Sequence, residues 1–222
     1  MGRHSNAWTA GIALVVVLGA APGPAQVLDT VLAQVDARTI ASSDIALARA
    51  LGVLGFAPTA APIERADVER FADVMLIIAE AGRTAIAIEP AQVDRAWAAL
   101  AARVGGEGAL DRWLAERAID RDWARRFVQD ELIRAAYFDA RFASLVFPDE
   151  DAVSSALGPG PHDEGEREAA RQRLVREAAL KAQAEWLNGA RKRASIKILL
   201  APGTSVAAPF TPPARDGAPP GR

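Results

Sequence analysis

The sequence predicts a mainly α-helical domain with a small β-sheet uniting its two ends. Three observations carry this. Val31, Ala33 and Val35 alternate with Leu32 and Gln34 near the start, a period-2 pattern suited to a strand. Ser195–Leu199 is the other clear strand and closes the folded part. Between them the apolar residues recur at 3- and 4-residue spacings, the helical period. A lone hairpin is marginal in water, so the terminal strand is expected to join the first two.

The hairpin reads Val31–Val35, a turn at Asp36-Ala37-Arg38, and a return at Thr39-Ile40-Ala41. Ser42 and Ser43 are helix-cap types ahead of a helix over Asp44–Leu54, stopped by Gly52, Gly55 and Pro58. Pro62 suits the first turn of a second helix. Its face carries Val68, Phe71, Val74, Met75 and Ile78, and it ends near Gly82–Ala85. Ile86–Ile88 is a connector, and Glu89-Pro90 starts a helix striped with Val93, Trp97, Leu100 and Val104. Gly105–Gly108 breaks the chain and a short helix follows with Leu110, Trp113 and Leu114.

Asp120 caps a long helix whose face holds Phe127, Val128, Leu132, Ala135, Phe138 and Phe142, ending near Val146. Asp149–Leu157 adds a short helix before the helix-breaking linker Gly158–Pro161. A charged helix then runs from Asp163 to Ala194. Leu174, Val175, Ala178, Ala182 and Trp186 mark its buried side, and Arg191-Lys192-Arg193 complement its C-terminal dipole. Ala201–Arg222 is rich in proline, alanine and glycine and is expected to be disordered.

Residues 1–25 look like an export signal. Arg3 and His4 precede the apolar run Gly11–Ala21, which is shorter than the roughly 20 residues a bilayer span needs. Small residues at Gly23 and Ala25 place cleavage after Ala25. The expected divisions are thus 1–25 signal, 26–200 helical domain and 201–222 tail. The expected product is a periplasmic protein with no integral membrane span.

Half of the residues are hydrophobic, enough for a core, although many are alanine. A net charge of −2 argues against nucleic acid as the main partner. With no cysteine, disulfides, thiol nucleophiles and cysteine metal sites are excluded. No His/Cys/Asp grouping has metal-ligand spacing, and Gly105–Gly108 follows a helix, so it reads as a turn and not as a phosphate loop. His162, the one histidine after the signal, sits in the proline-glycine linker. No cofactor is implied.

The order of elements resembles the N-terminal domain of SurA-type periplasmic chaperones, within the wider SurA and trigger-factor peptide-binding group. VLDTVLAQVDARTIASSDIALARAL carries the resemblance at the start, with VMLIIAEAGRTAIAIEPAQVDRAWAAL after it. LDRWLAERAIDRDWARRFVQDELIRAAYFDARF continues it and EWLNGARKRASIKIL closes it, so that it covers Val27–Leu200. Ser43-Asp44 stands at the family's helix start and Glu80-Ala81 at the end of its buried helix. Two departures matter. Asp36-Ala37 replaces the asparagine-glycine turn common in relatives. Only Gly158–Asp163 stands where many relatives insert a parvulin-type prolyl isomerase domain. No isomerase site carries over, so the expected protein is not an enzyme.

The resemblance implies ATP-independent binding of unfolded or extended polypeptides, outer-membrane proteins in transit among them. Two alternatives stay open: a prolyl isomerase-related enzyme, and an assembly subunit dedicated to one folded partner. Aromatic side chains contribute large contact area at low entropic cost. The candidate client-binding residues are accordingly Trp97, Phe138, Phe142 and Trp186. Alanine neighbours Ala135, Ala178 and Ala182 are expected to leave a groove beside them.

Overall fold

The computed structural model describes residues 29–84 and 86–214. The proposed signal segment and Arg215–Arg222 lie outside the described residues.

The hairpin forms as β1 (Val31–Val35) and β2 (Arg38–Ala41). Its two-residue turn places Asp36 at φ 52°, the left-handed region that aspartate tolerates better than most residues. The register shifts between Val31 and Ala33, and this bulge breaks the simple alternation. Leu32 and Ala33 are both buried, while Val31 is exposed. Helix α1 (Ser42–Leu51) follows without a linker. Its cap is not supplied by Ser42 and Ser43 as acceptors. Both serine hydroxyls and the Ser43 amide instead donate to the Asp29 carboxylate, which precedes β1. Burial acts to raise the Asp29 carboxyl, but these donors together hold it below its ordinary value.

The expected sheet closes across the whole chain. Strand β4 (Ile196–Ile198) pairs antiparallel with β1, Ala33 opposite Ile198 and Val35 opposite Ile196, giving the order β2-β1-β4. Between these strands run α2 (Arg65–Arg83), α3 (Pro90–Arg103), α4 (Glu107–Glu116) and α5 (Arg121–Arg141). Then come a 3₁₀ turn at Ala143–Leu145, α6 (Glu150–Leu157) and α7 (Glu164–Arg193). Asp120, Asp149 and Asp163 cap α5, α6 and α7 with their carboxylates. The main core packs the sheet and α1 against α2, α3, α4 and the first half of α5. Arg49 is buried within it, paired with Asp67 and donating to the Ala61 and Pro62 carbonyls at 2.8 and 3.2 Å.

Two features depart from the expected layout. Ile63–Glu64, read as part of a helix start, is a strand, β3, immediately before α2. Its partner is β5 (Ser205–Val206), inside the stretch expected to be disordered. Within that stretch Val206, Ala208 and Phe210 pack, partly buried, on the main core. Composition alone cannot reveal such packing. Among the described residues no helix is long and apolar enough to cross a membrane.

Candidate functional site

The 21-residue α5 is in the main core over its first half only. Beyond about Ile133 it enters a second apolar cluster. There Tyr137 and Phe142 pack with Ile77 and Ala81 of α2 and with Ala179 of α7. Phe142 reaches this cluster because it is no longer helical. It caps α5 with φ −123° and ψ −53°, and the chain turns back through Ala143–Leu145.

Aromatic rings tile the cluster. Tyr137 meets Phe142 edge-on at 5.9 Å and Trp186 at 5.8 Å. Phe142 meets Trp186 at 6.2 Å and Phe138 at 6.0 Å. Such pairs add roughly 0.5–1.5 kcal/mol each beyond the area they bury. Burial, with Glu80 nearby, pushes the Tyr137 phenol above its ordinary range, and Arg141 opposes this without cancelling it.

Above these rings α5 and α7 approach each other little along the backbone and leave a groove of about 540 Å³. Phe138 and Ala143 form one wall. Val175 and Leu180 form the apolar part of the other, and Arg134, Arg171, Arg176, Asp139 and Glu168 line the polar part. Leu180 is 51% exposed. The turn that contributes Ala143 continues into Leu145 and Phe147, 65% and 85% exposed. The charges at the upper end are mutually engaged. Glu150 of α6 accepts from Arg167 and Arg171, and hydrogen bonds from Arg171 and Arg167 hold its carboxyl below the usual value. Arg171 also donates to Glu168, and Arg134 to Glu131.

Of the four sequence candidates, three meet here. Phe142 and Trp186 touch directly, Phe142 buried and Trp186 half-buried, and Phe138 meets Phe142 with its ring tilted, at the groove wall. Trp97 does not join them. It is 1% exposed in the main core, with Arg121 and Arg125 stacked 5.4 and 5.6 Å from its ring. Its helix, α3, packs on the first half of α5, not the second. Tyr137 was not among the candidates, although the four-residue step from Ile133 could have marked it. Ala135 faces solvent and Ala178 is exposed; Ala182 alone of the three alanines packs under the rings.

No family model matches the chain, and no curated protein does.

His162 lies at the α6–α7 turn, its ring nitrogens 3.2 Å from Glu166 Oε2 and from the Gly158 carbonyl. Among the described residues no three His, Cys, Asp or Glu side chains gather to hold a metal ion.

Proposed function

We propose that this chain is an ATP-independent, non-enzymatic chaperone of exported polypeptides, holding unfolded segments in the α5–α7 groove. The periplasm is the proposed compartment, and outer-membrane proteins in transit are among the proposed clients. The observation that carries the reading is that Phe138 and Leu180 both line an open groove of about 540 Å³ in which apolar and charged side chains mix, with Leu145 and Phe147 exposed on the adjoining turn. Exposed apolar surface of this kind usually marks an interaction site. The SurA-type order of elements supports the same reading. A rim that carries both arginines and carboxylates provides hydrogen-bonding groups without a single-sign field, as suits loose selectivity among clients. Affinity per segment is weak, because ordering a disordered client costs free energy.

The test is the Phe138→Ala, Leu180→Ala double variant. It should lose most of its ability to suppress aggregation of an unfolded outer-membrane protein while melting within a few degrees of the parent. Phe142→Ala is the contrast, since a buried phenylalanine costs about 3–5 kcal/mol on truncation. Unchanged suppression per folded molecule in the double variant would refute the groove. A crosslinking pull-down that returns one stoichiometric folded partner would replace the chaperone with an assembly subunit.

A further inference from the structure

The segment after β4 lies on the body in the manner of a bound peptide. Ala201–Thr204 forms a turn, the Thr204 amide donating to the Ala201 carbonyl at 3.2 Å, with Gly203 at φ 74°. The chain then runs extended, β5 pairing antiparallel with β3 through Val206 opposite Ile63 and Ser205 opposite Glu64. Every second side chain beyond this point, Val206, Ala208 and Phe210, packs on the main core, while Ala207 is exposed.

Phe210 meets the Trp113 ring of α4 edge-on, 6.2 Å between centroids and 89° between planes. Trp113 Nε1 donates to the Thr211 carbonyl at 3.0 Å. The Arg117 guanidinium stacks 5.1 Å from the same indole ring. A cleft of about 370 Å³ between Glu116, Arg117 and Ala208–Thr211 leaves room beside the seated chain. Pro209, Pro212 and Pro213 keep the segment out of helix. Backbone pairing plus seats for alternate side chains is the general mode of strand-addition recognition. Among the described residues no salt bridge or buried charge ties residues 205–211 to the body. The contacts are those an exchangeable ligand would make.

We propose that β3 and α4 form a binding site for extended peptide, filled in cis by Val206–Thr211. In trans the site takes an unstructured polypeptide segment with a small residue two positions before an aromatic one. The tether keeps the cis segment at a high effective concentration, in the millimolar range for short flexible linkers. Free segments therefore compete poorly until the cis segment lifts. The site is separate from the α5–α7 groove, and its failure would leave that reading standing.

The experiment uses a fluorescently labelled peptide of the Ser205–Pro213 sequence and the full chain. Phe210→Ala weakens the cis occupant, so the peptide should bind this variant at least tenfold more tightly than the parent chain. A peptide with alanine in the phenylalanine position should bind neither. Adding Trp113→Ala should abolish the gain, whereas adding Phe138→Ala and Leu180→Ala should preserve it. Equal binding to parent and variant overturns the proposal, as does loss of binding on the groove substitutions. Hydrogen exchange of the unaltered protein decides independently of any variant. The amides of the β3–β5 pair should open while the β1, β2 and β4 amides stay closed. A single shared opening of both sets would make the segment part of the fold and not a ligand of it.

Discussion

Asp36 and Ser195, 159 positions apart, exchange two hydrogen bonds. The Asp36 amide donates to the Ser195 carbonyl at 2.8 Å, and the Ser195 amide to Asp36 Oδ1 at 2.9 Å. The turn of the first hairpin thus receives the end of α7 and starts β4 in register. The left-handed conformation of Asp36 aims its carboxylate at that amide.

A chain stopped after Ala194 should therefore lose its cooperative unfolding transition. It forfeits these bonds, the β1–β4 ladder, and the packing of Ile196 and Ile198, half-buried and worth roughly 1 kcal/mol each. It also loses the Arg65 bond to the Leu200 carbonyl at 3.0 Å. Against a typical total of about 5–15 kcal/mol this is a large share. A chain stopped after Ala201 should keep a single cooperative transition, but melt below the parent because Ile63 and Trp113 lose their β5 and Phe210 cover. Thermal melts of the three lengths side by side check both statements.

The helices and the terminal strand were legible because each has a period, a cap or a proline-glycine boundary. Asp120, Asp149 and Asp163 each announce a helix and each caps one. β3 and β5 were not legible: two residues have no period, and Pro62 beside Ile63 reads equally well as a helix start. The aromatic cluster was half legible. Helical spacing put Phe138 near Phe142, and the return of α7 put Trp186 beside Phe142. The apolar stripe of Trp97 does not say which neighbour it faces, and the residue is in the main core, apart from this cluster. A helical face run straight through Ala135 and Phe142 leaves Tyr137 off it, whereas the helix ends at Arg141 and Phe142 folds back.

Arg49→Met should destabilise the fold by about 3–5 kcal/mol, the range for breaking a buried ion pair from one side. The change strands Asp67 and leaves the Ala61 and Pro62 carbonyls without their donor. Asp67 also accepts from the Glu64 amide at 2.8 Å, so the damage should reach β3 at the start of α2. Urea denaturation measures the loss. Arg49→Met combined with Asp67→Asn should recover part of it, since the second change removes the stranded charge.

Asp130→Asn should stabilise the protein at neutral pH. Asp130 and Asp44 face a cavity of about 150 Å³ floored by Leu54, Phe71 and Phe127. Burial raises both carboxyls above the ordinary 3.8, and the Arg38 and Arg126 charges only partly offset this at Asp130. The fold then holds these protons more tightly than the unfolded chain does. Their contribution is least unfavourable below the ordinary value and declines as pH rises through the raised one. The melting temperature of Asp130→Asn should accordingly exceed the parent's at pH 7, with the difference shrinking towards zero near pH 3. Asp29, Glu150 and Glu168, whose values are lowered, work in the opposite sense and lose their contribution on acidification. Melts of parent and variant across that pH range read the difference directly. A constant difference at every pH would mean that the charge of Asp130 is not its cause.

Trp97→Phe should cost less than about 1 kcal/mol, whereas Trp97→Ala should cost about 3–5 kcal/mol. The indole is fully buried in the main core, yet among the described residues its Nε1 meets no acceptor. An unpaired buried donor is unfavourable by roughly 1–3 kcal/mol. Replacing indole by phenyl removes that penalty while keeping an aromatic ring beneath Arg121 and Arg125, and the relief offsets much of the lost area. The two arginines hold the ring from the solvent side, so the smaller ring leaves a gap that their aliphatic stems can follow. Client binding should be unchanged in Trp97→Phe, because the residue is in a different cluster from Phe138 and Leu180. Melting and aggregation suppression measured on the same preparations test both halves. A Trp97→Phe loss as large as that of Trp97→Ala would show that the indole nitrogen has a partner after all. Weakened client binding at unchanged stability would return Trp97 to the groove.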